Sequence, residues 1–210
     1  MVKDLFNRPI RDLRISVTDR CNFRCPYCMP AEIYGERYKF LPKDQVLSFE
    51  QIEKIARVFA ELGVTKIRLT GGEPLLRQDL DLLVKMLIQI PGIEDLALTT
   101  NGYLLTRFAE KLHEAGLKRI TISIDTIDEA LFKEMNGVNA ELNTVLQGLE
   151  LVEKLGFDPI KINTVVQKGK NDENLLELAE YIKSKGHILR FIEYMDVGNL
   201  NGWDKSEVVP

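Results

Sequence analysis

The sequence predicts an α/β fold built on a parallel sheet, and two patterns carry that reading. Six short segments have the apolar–polar alternation of a β-strand, and between them lie longer segments with apolar residues at helical spacing. Four of the helical segments meet a glycine where the pattern stops: Gly63, Gly116, Gly156 and Gly186. Strands that alternate with helices in this way make right-handed crossovers onto a parallel sheet.

The first strand is expected at Leu13–Val17, with Leu13, Ile15 and Val17 on one face and Arg14 and Ser16 on the other. The stretch from Met29 to Ser48 is loop-like and long enough to cover a site; its Tyr34–Phe40 aromatics read as loop packing. A helix over Phe49–Leu62 follows, with Ile52, Ile55, Ala56 and Phe59 on one side. The second strand, Lys66–Thr70, sets Ile67 and Leu69 against Arg68 and Thr70. After a helix at Leu80–Ile90, the third strand, Asp95–Thr100, sets Leu96 and Leu98 against Ala97, Thr99 and Asn101. A helix at Leu105–Ala115 leads to the fourth strand, Arg119–Ile124, where Ile120, Ile122 and Ile124 oppose Thr121, Ser123 and Asp125. The helix Leu142–Leu155 precedes the fifth strand, Pro159–Val166, in which Ile160 and Ile162 oppose Lys161 and Asn163. A helix at Glu173–Lys185 and a strand at Leu189–Tyr194 complete the series.

Strands covered by helices on both faces read as near-continuous apolar runs. Here one face is apolar and the other is repeatedly polar, with the cations Arg14, Arg68 and Lys161 on it. A closed eight-stranded barrel fills its lumen with Val, Ile and Leu. A polar lumen therefore suggests a wider or incomplete barrel around a polar ligand, and a single solvated sheet face is the alternative. Periodicity alone does not choose between an open sheet and a partial barrel.

The 210 residues suit one substantial domain. Lys plus Arg number 28 against 32 Asp plus Glu, a net charge of −4, so there is no global field for gripping nucleic acid and phosphate binding must be local. No apolar run approaches the ~18 residues of a membrane span. The N-terminal residues also lack the apolar stretch of a signal peptide. A cytoplasmic location is expected, where thiols stay reduced.

The three cysteines all lie within Cys21-Asn22-Phe23-Arg24-Cys25-Pro26-Tyr27-Cys28, just after the first strand. An odd number at such short spacing is a poor disulfide framework and a good metal or cluster site. Three thiolates satisfy three irons of a cubane and leave the fourth open to an external ligand, such as an amino acid chelating through its amine and carboxylate. Structural zinc usually takes four protein ligands, and neither His113 nor His187 has ligand spacing.

The CxxxCxΦC pattern, with Tyr27 as the aromatic, resembles that of the radical S-adenosylmethionine enzymes. Thr70-Gly71-Gly72-Glu73-Pro74, ending the second strand, resembles the GGEP turn of the same superfamily. Its glycines let the backbone approach a ligand closely, and Glu73 offers an acceptor for an ammonium. Within the superfamily, four stretches are similar to the GTP 3′,8-cyclase family of molybdenum-cofactor biosynthesis. They are Arg14–Asn22, Arg68–Leu75, Thr99–Gly102 and Arg190–Met195, within a match from about Arg8 to Trp203.

The resemblance implies a partial (β/α)6 TIM-like barrel, forming a single radical S-adenosylmethionine core domain over residues 1–210. It implies a [4Fe–4S] cluster on Cys21, Cys25 and Cys28, with S-adenosylmethionine bound by Tyr27, Gly72, Glu73, Ser123 and Met195. GTP would be the substrate, held by Arg14, Arg68, Thr99, Lys161 and Arg190. The implied reaction reduces S-adenosylmethionine to methionine and a 5′-deoxyadenosyl radical, which takes the 3′ hydrogen of GTP before C8 of guanine is attacked. Its product, (8S)-3′,8-cyclo-7,8-dihydroguanosine 5′-triphosphate, is the first intermediate toward molybdopterin. An electron donor such as flavodoxin or ferredoxin is implied as partner, no nucleic acid or membrane is expected, and a homodimer is left open.

Family members continue beyond the length seen here, with further cysteines for a second cluster, whereas no cysteine follows Cys28. The expectation is a chain that carries the radical-generating half. A radical enzyme acting on another small molecule or a peptide, and a cluster-binding but cyclase-inactive form, are the alternatives. One detail resists the pattern: Arg190 and Met195 have opposite parity, so both face inward only across a bulge or a strand end.

Overall fold

The computed structural model describes residues 2–198 and 202–209; the ends of the expected 1–210 domain and positions 199–201 lie outside the described residues. Six strands form one sheet: β1 (Asp12–Ser16), β2 (Lys66–Thr70), β3 (Asp95–Thr100), β4 (Arg119–Ser123), β5 (Ile160–Val166) and β6 (Ile188–Glu193). All pair in parallel and in sequence order, β1-β2-β3-β4-β5-β6. Consecutive parallel pairing with right-handed crossovers puts every connecting helix on the same side of the sheet. The opposite face is left for something else.

The helices are α1 (Phe49–Leu62), α2 (Leu80–Ile88), α3 (Leu105–Glu114), α4 (Glu129–Asn136), α5 (Leu142–Lys154) and α6 (Leu175–Ser184). α1 starts with a capping box in which Ser48 Oγ accepts from the Gln51 amide and the Gln51 side chain accepts from the Ser48 amide. It stops at Gly63, whose φ of 111° only glycine adopts freely. The expected stops at Gly116, Gly156 and Gly186 also have positive φ. Sequence periodicity missed α4, an eight-residue helix between β4 and α5. Its signal was present at its ends: Asp128 caps it by accepting from the Leu131 amide at 2.7 Å, and Gly137 ends it.

The core lies between sheet and helices. Ile67, Leu69, Leu98, Ile120, Ile122 and Ile162 from the strands are fully buried with Ala56, Leu83, Leu87, Leu112, Val145, Leu149 and Ile182 from the helices. These strand residues all have the predicted inward parity.

The sheet is curled. Arg14 on β1 and Arg190 on β6 belong to opposite edges of the strand order, yet the positive charge of Arg14 helps lower the Arg190 pKa. One cavity is lined by Arg14 from β1 and by Ile192 from β6. β1 and β6 do not pair, so the curl is an incomplete barrel with a seam between its first and last strands.

Leu98 on β3 is fully buried, whereas Leu82 on α2 is 49% exposed. Leu98→Ala should cost about 2–5 kcal/mol of stability, while Leu82→Ala should stay within about 0.5 kcal/mol; urea unfolding followed by circular dichroism measures both.

Candidate functional site

The site is built where the chain leaves the carboxyl ends of the strands. Val17 N–H extends the β1–β2 ladder by donating to Thr70 O at 2.8 Å. The segment that follows then crosses the end of β2, where Gly72 N–H donates to Thr18 O and Glu73 N–H to Arg20 O, both at 2.8 Å. A Cβ on Gly71 would stand 2.6 Å from Thr18 O, and one on Gly72 would stand 2.3 Å from Arg20 O. The glycines of this turn therefore make room for the backbone leading into the cysteines, a demand additional to the ligand approach read from the sequence.

Glu73 is 1% exposed, and its carboxylate is held by three donors. Oε1 accepts from Leu75 N–H at 2.9 Å and from the Thr100 hydroxyl at 2.7 Å; Oε2 accepts from Asn101 N–H at 2.8 Å. Burial raises its pKa and these three bonds oppose the rise. Glu73 thus ties the turn after β2 to the end of β3, and Oε2 keeps acceptor capacity toward the cavity that Glu73 lines.

Arg24 braces the cysteine loop from inside. Its Nη1 donates to Cys21 O and Phe23 O, and its Nε to Tyr34 O, each at 2.7 Å. The Arg24 amide donates to Asn136 O at the end of α4, where a Cβ on Gly137 would lie 2.2 Å from Arg24 O. The Phe23 ring packs edge-on against Tyr103 and Phe132. In the loop beyond, Tyr34, Tyr38 and Phe40 pack ring against ring, as loop packing requires.

Burial pushes the Cys21 thiol up to about 11 and raises the Cys25 and Cys28 thiols as well. Phe23 N–H and the Arg24 charge oppose the rise at Cys21, and the Asp125 charge adds to it at Cys25 and Cys28. A thiophilic metal centre would have to displace these protons. Among the described residues, no three His, Cys, Asp or Glu side chains converge on one point as a mononuclear ion requires. Three thiols on one cavity are a donor set that suits a cluster, whose irons each take a separate thiolate. The histidines stand elsewhere: His113 lies against the Phe157 ring, and His187 Nε2 is 2.7 Å from Glu153 Oε1.

All three cysteines line one cavity of about 460 Å3, within the usual range of ligand pockets. Tyr27, Gly72, Glu73, Ser123 and Met195 line the same cavity, as do Arg14 and Thr99. Met195 reaches it because β6 ends at Glu193, which releases the chain from strand alternation and resolves the parity conflict with Arg190. Tyr27 OH donates to Asp125 Oδ2 at 2.6 Å, and Val165 N–H donates to Asp125 Oδ1 at 2.8 Å. Burial pushes the Asp125 carboxyl up to about 6, with both hydrogen bonds opposing. The Asp125 carboxylate is thus shared by the cysteine loop and β5.

Below the thiols the lumen is cationic. The ladder sets Arg14 beside Arg68, Arg68 beside Ala97, and Ala97 beside Arg119, the small residue leaving room for two guanidinium groups. Lys161 pairs in register with Thr121, and Arg190 with Asn163. Arg68 and Lys161 line one recess together with Lys66 and Arg119. Asp95 answers part of this charge, 3.2 Å from Lys66 Nζ and in contact with Arg119. Desolvation lowers the Lys161 and Arg190 pKa values, and the neighbouring cations lower them further.

Every sequence-predicted site residue therefore faces this lumen or its rim. Sequence reasoning missed Lys66 and Arg119, which share the parity of Arg68 and Thr121 and were one alternation step away. It also missed Phe132, Met135 and Asn136, which line the cavity from α4.

A model of the radical SAM superfamily matches residues 15–182. The chain belongs to that superfamily. It is 54% identical over 208 residues to a GTP 3′,8-cyclase of Staphylococcus aureus (strain bovine RF122 / ET3-1), covering 99% of this chain and 61% of that relative. The chain thus spans about three fifths of the length of such relatives. Among solved structures, methylornithine synthase is similar with a TM-score of 0.70 at 15% identity, covering 97% of this chain and 59% of that one. Native anSMEcpe with bound AdoMet is similar with a TM-score of 0.64 at 21% identity, covering 90% and 52%. These likenesses show the fold of a radical SAM barrel.

Glu73→Gln would set an amide N–H against one of three buried donors. The expected cost is about 1–3 kcal/mol of unfolding free energy, read as a lower urea midpoint at unchanged slope.

Proposed function

We propose that the chain is a cytoplasmic radical S-adenosylmethionine enzyme of the GTP 3′,8-cyclase type, acting at the first step of molybdopterin biosynthesis. One observation carries the reading: a rim of three thiols stands over a lumen floor of Arg14, Arg68, Arg119, Lys161 and Arg190. The 54% identity to GTP 3′,8-cyclases supports it. No helix among the described residues is long and apolar enough to cross a membrane.

Cys21, Cys25 and Cys28 would hold three irons of a [4Fe–4S] cluster, leaving the fourth for the amine and carboxylate of S-adenosylmethionine. When bound, the reduced cluster and S-adenosylmethionine supply a primary carbon radical able to abstract hydrogen. The chain's own residues do the positioning. Glu73 Oε2 and the backbone at Gly72 would hold the amino end of the cofactor, and Tyr27, Ser123 and Met195, which line the same cavity, its adenosyl end. Arg14, Arg68, Lys161 and Arg190, with the Thr99 hydroxyl, hold the triphosphate through charge-assisted hydrogen bonds. That anchoring fixes the sugar between floor and rim, where the barrel walls shield it from water. An electron donor such as flavodoxin or ferredoxin would deliver the electron at the exposed Cys28 side of the loop.

Anaerobic reconstitution with iron and sulfide should give iron–sulfur absorption in the parent chain and none in Cys21→Ala, Cys25→Ala or Cys28→Ala; zinc uptake without that absorption would sink the cluster assignment. With reductant, S-adenosylmethionine and GTP, the loaded chain should release 5′-deoxyadenosine and cyclised GTP. Absence of 5′-deoxyadenosine overturns the reading, and 5′-deoxyadenosine without cyclised nucleotide removes GTP as the substrate of this chain. Arg68→Ala should weaken GTP binding about 10- to 100-fold and leave S-adenosylmethionine binding unchanged, both read by calorimetry.

A further inference from the structure

β6 is the one strand of the sheet with no buried residue: β1 buries Ile15, and β2 to β5 bury two or more each. It is also an edge strand, because β1 does not pair with it across the seam. An edge strand that buries so little opens easily from its end. The end in question leads into Met195, which lines the cavity of the three thiols. Between strand and cavity stands Tyr194, which is only 2% exposed.

The chain returns to this point further on. Trp203 Nε1–H donates to Tyr194 O at 3.1 Å. One turn of 3-10 helix follows, Lys205–Glu207, capped by Asp204 Oδ1, which accepts from the Ser206 amide and hydroxyl at 2.8 Å each. That turn sets Glu207 against the loop leaving β5. Glu207 O accepts from Lys168 N–H at 2.8 Å, and Glu207 Oε2 accepts from Gln167 Nε2–H at 2.7 Å. The loop is itself fixed, because the fully buried Asn171 accepts from Gln167 N–H and donates to Val165 O and Asp125 O. Residues 203–208 therefore join the carboxyl end of β6 to that of β5. The Tyr194 hydroxyl lies in the field of the same segment: burial raises its pKa, and the charges of Glu207, Asp204 and Asp196 raise it further. No residue of the segment lines the cavity, so any effect on a ligand passes through the strand ends it joins.

We propose that residues 203–208 are a strap that pins the end of β6, and that Trp203 and Glu207 thereby position the adenosyl end of S-adenosylmethionine through Met195. The proposal rests on the cofactor reading above. Elsewhere in the sheet a neighbouring strand and a buried face hold each strand end; at β6 the Trp203 and Glu207 hydrogen bonds take over that task. A ligand that needs Met195 in place binds in proportion to the fraction of chains whose strand end is closed. Trp203 and Glu207 are positioning residues, since neither reaches the cavity.

Trp203→Phe keeps a ring and removes the N–H, Glu207→Ala removes the side-chain acceptor, and Glu207→Gln keeps one. In the cluster-loaded chain, amide hydrogen exchange at residues 191–194 should be faster in Trp203→Phe, in Glu207→Ala and most of all in the double variant. Exchange in β2, β3 and β4 should match the parent, and Glu207→Gln should match it throughout. Anaerobic calorimetry should show S-adenosylmethionine bound about three- to tenfold more weakly by the double variant, with GTP, held lower on the wall, bound as in the parent. Unchanged exchange at the end of β6 overturns the strap. Faster exchange with unchanged S-adenosylmethionine affinity overturns the positioning role, and so does equal weakening of both ligands, the mark of a general loss of structure. If the double variant does not hold its cluster, the single variants decide by the same readings. A parent chain that binds no S-adenosylmethionine removes the cofactor reading and the positioning role with it, and the exchange comparison still decides the strap.

Discussion

A parallel ladder in which each strand pairs with its successor leaves one face of the sheet without helices. The consequences run through the whole molecule. On the helix side, Ile67, Leu69, Leu98, Ile120, Ile122 and Ile162 are removed from water, and the stability of the domain comes mainly from there. On the other side the same alternation brings Arg14, Arg68, Thr121, Lys161 and Asn163 onto one concave wall. Neither face could be altered alone, because a register slip of one residue would exchange them. The ladder also forces Arg14 and Arg68 to be neighbours, an arrangement that costs stability unless a counter-charge arrives.

Above that wall the cysteine loop has little regular structure, and its position depends on a few directed contacts. Gly71 and Gly72 admit its backbone, Arg24 gathers its carbonyls, and Tyr27 anchors its far end on Asp125. Glu73 fixes the underlying turn to β3 through Thr100 and Asn101. The thiols are thus held by elements from β1 through β5, so the rim is only as well placed as the barrel below it.

Much of this was legible in the sequence. The six strands fell within one or two residues of their predicted bounds because period-two alternation is a local property, and the cysteine spacing and the GGEP turn marked the rim. The curvature was not legible, because it depends on the stagger between strands rather than on any one of them. α4 escaped because eight residues give too few helical repeats for a pattern, although Asp128 and Gly137 marked its ends. Lys66 and Arg119 escaped because, although both strands were predicted to begin at these residues, their polar faces were read only from Arg68 and Thr121 onward. The partners of Glu73 and Asp125 lie on other strands, and no spacing in the chain announces them. The close approach at Gly72 is of the same kind, since the sequence shows a glycine but not the carbonyl it must clear.

The cationic floor also bears on what is measured when this protein is handled. A fold that gathers Arg14, Arg68, Arg119, Lys161 and Arg190, while Asp95 reaches only Lys66 and Arg119, stores electrostatic repulsion. Any polyanion that settles there binds the native chain and not the unfolded one, so by mass action it raises the apparent melting temperature with its concentration. Salt acts on the same term by screening, so dilute buffer and a nucleotide-rich medium will report different stabilities for one and the same sequence.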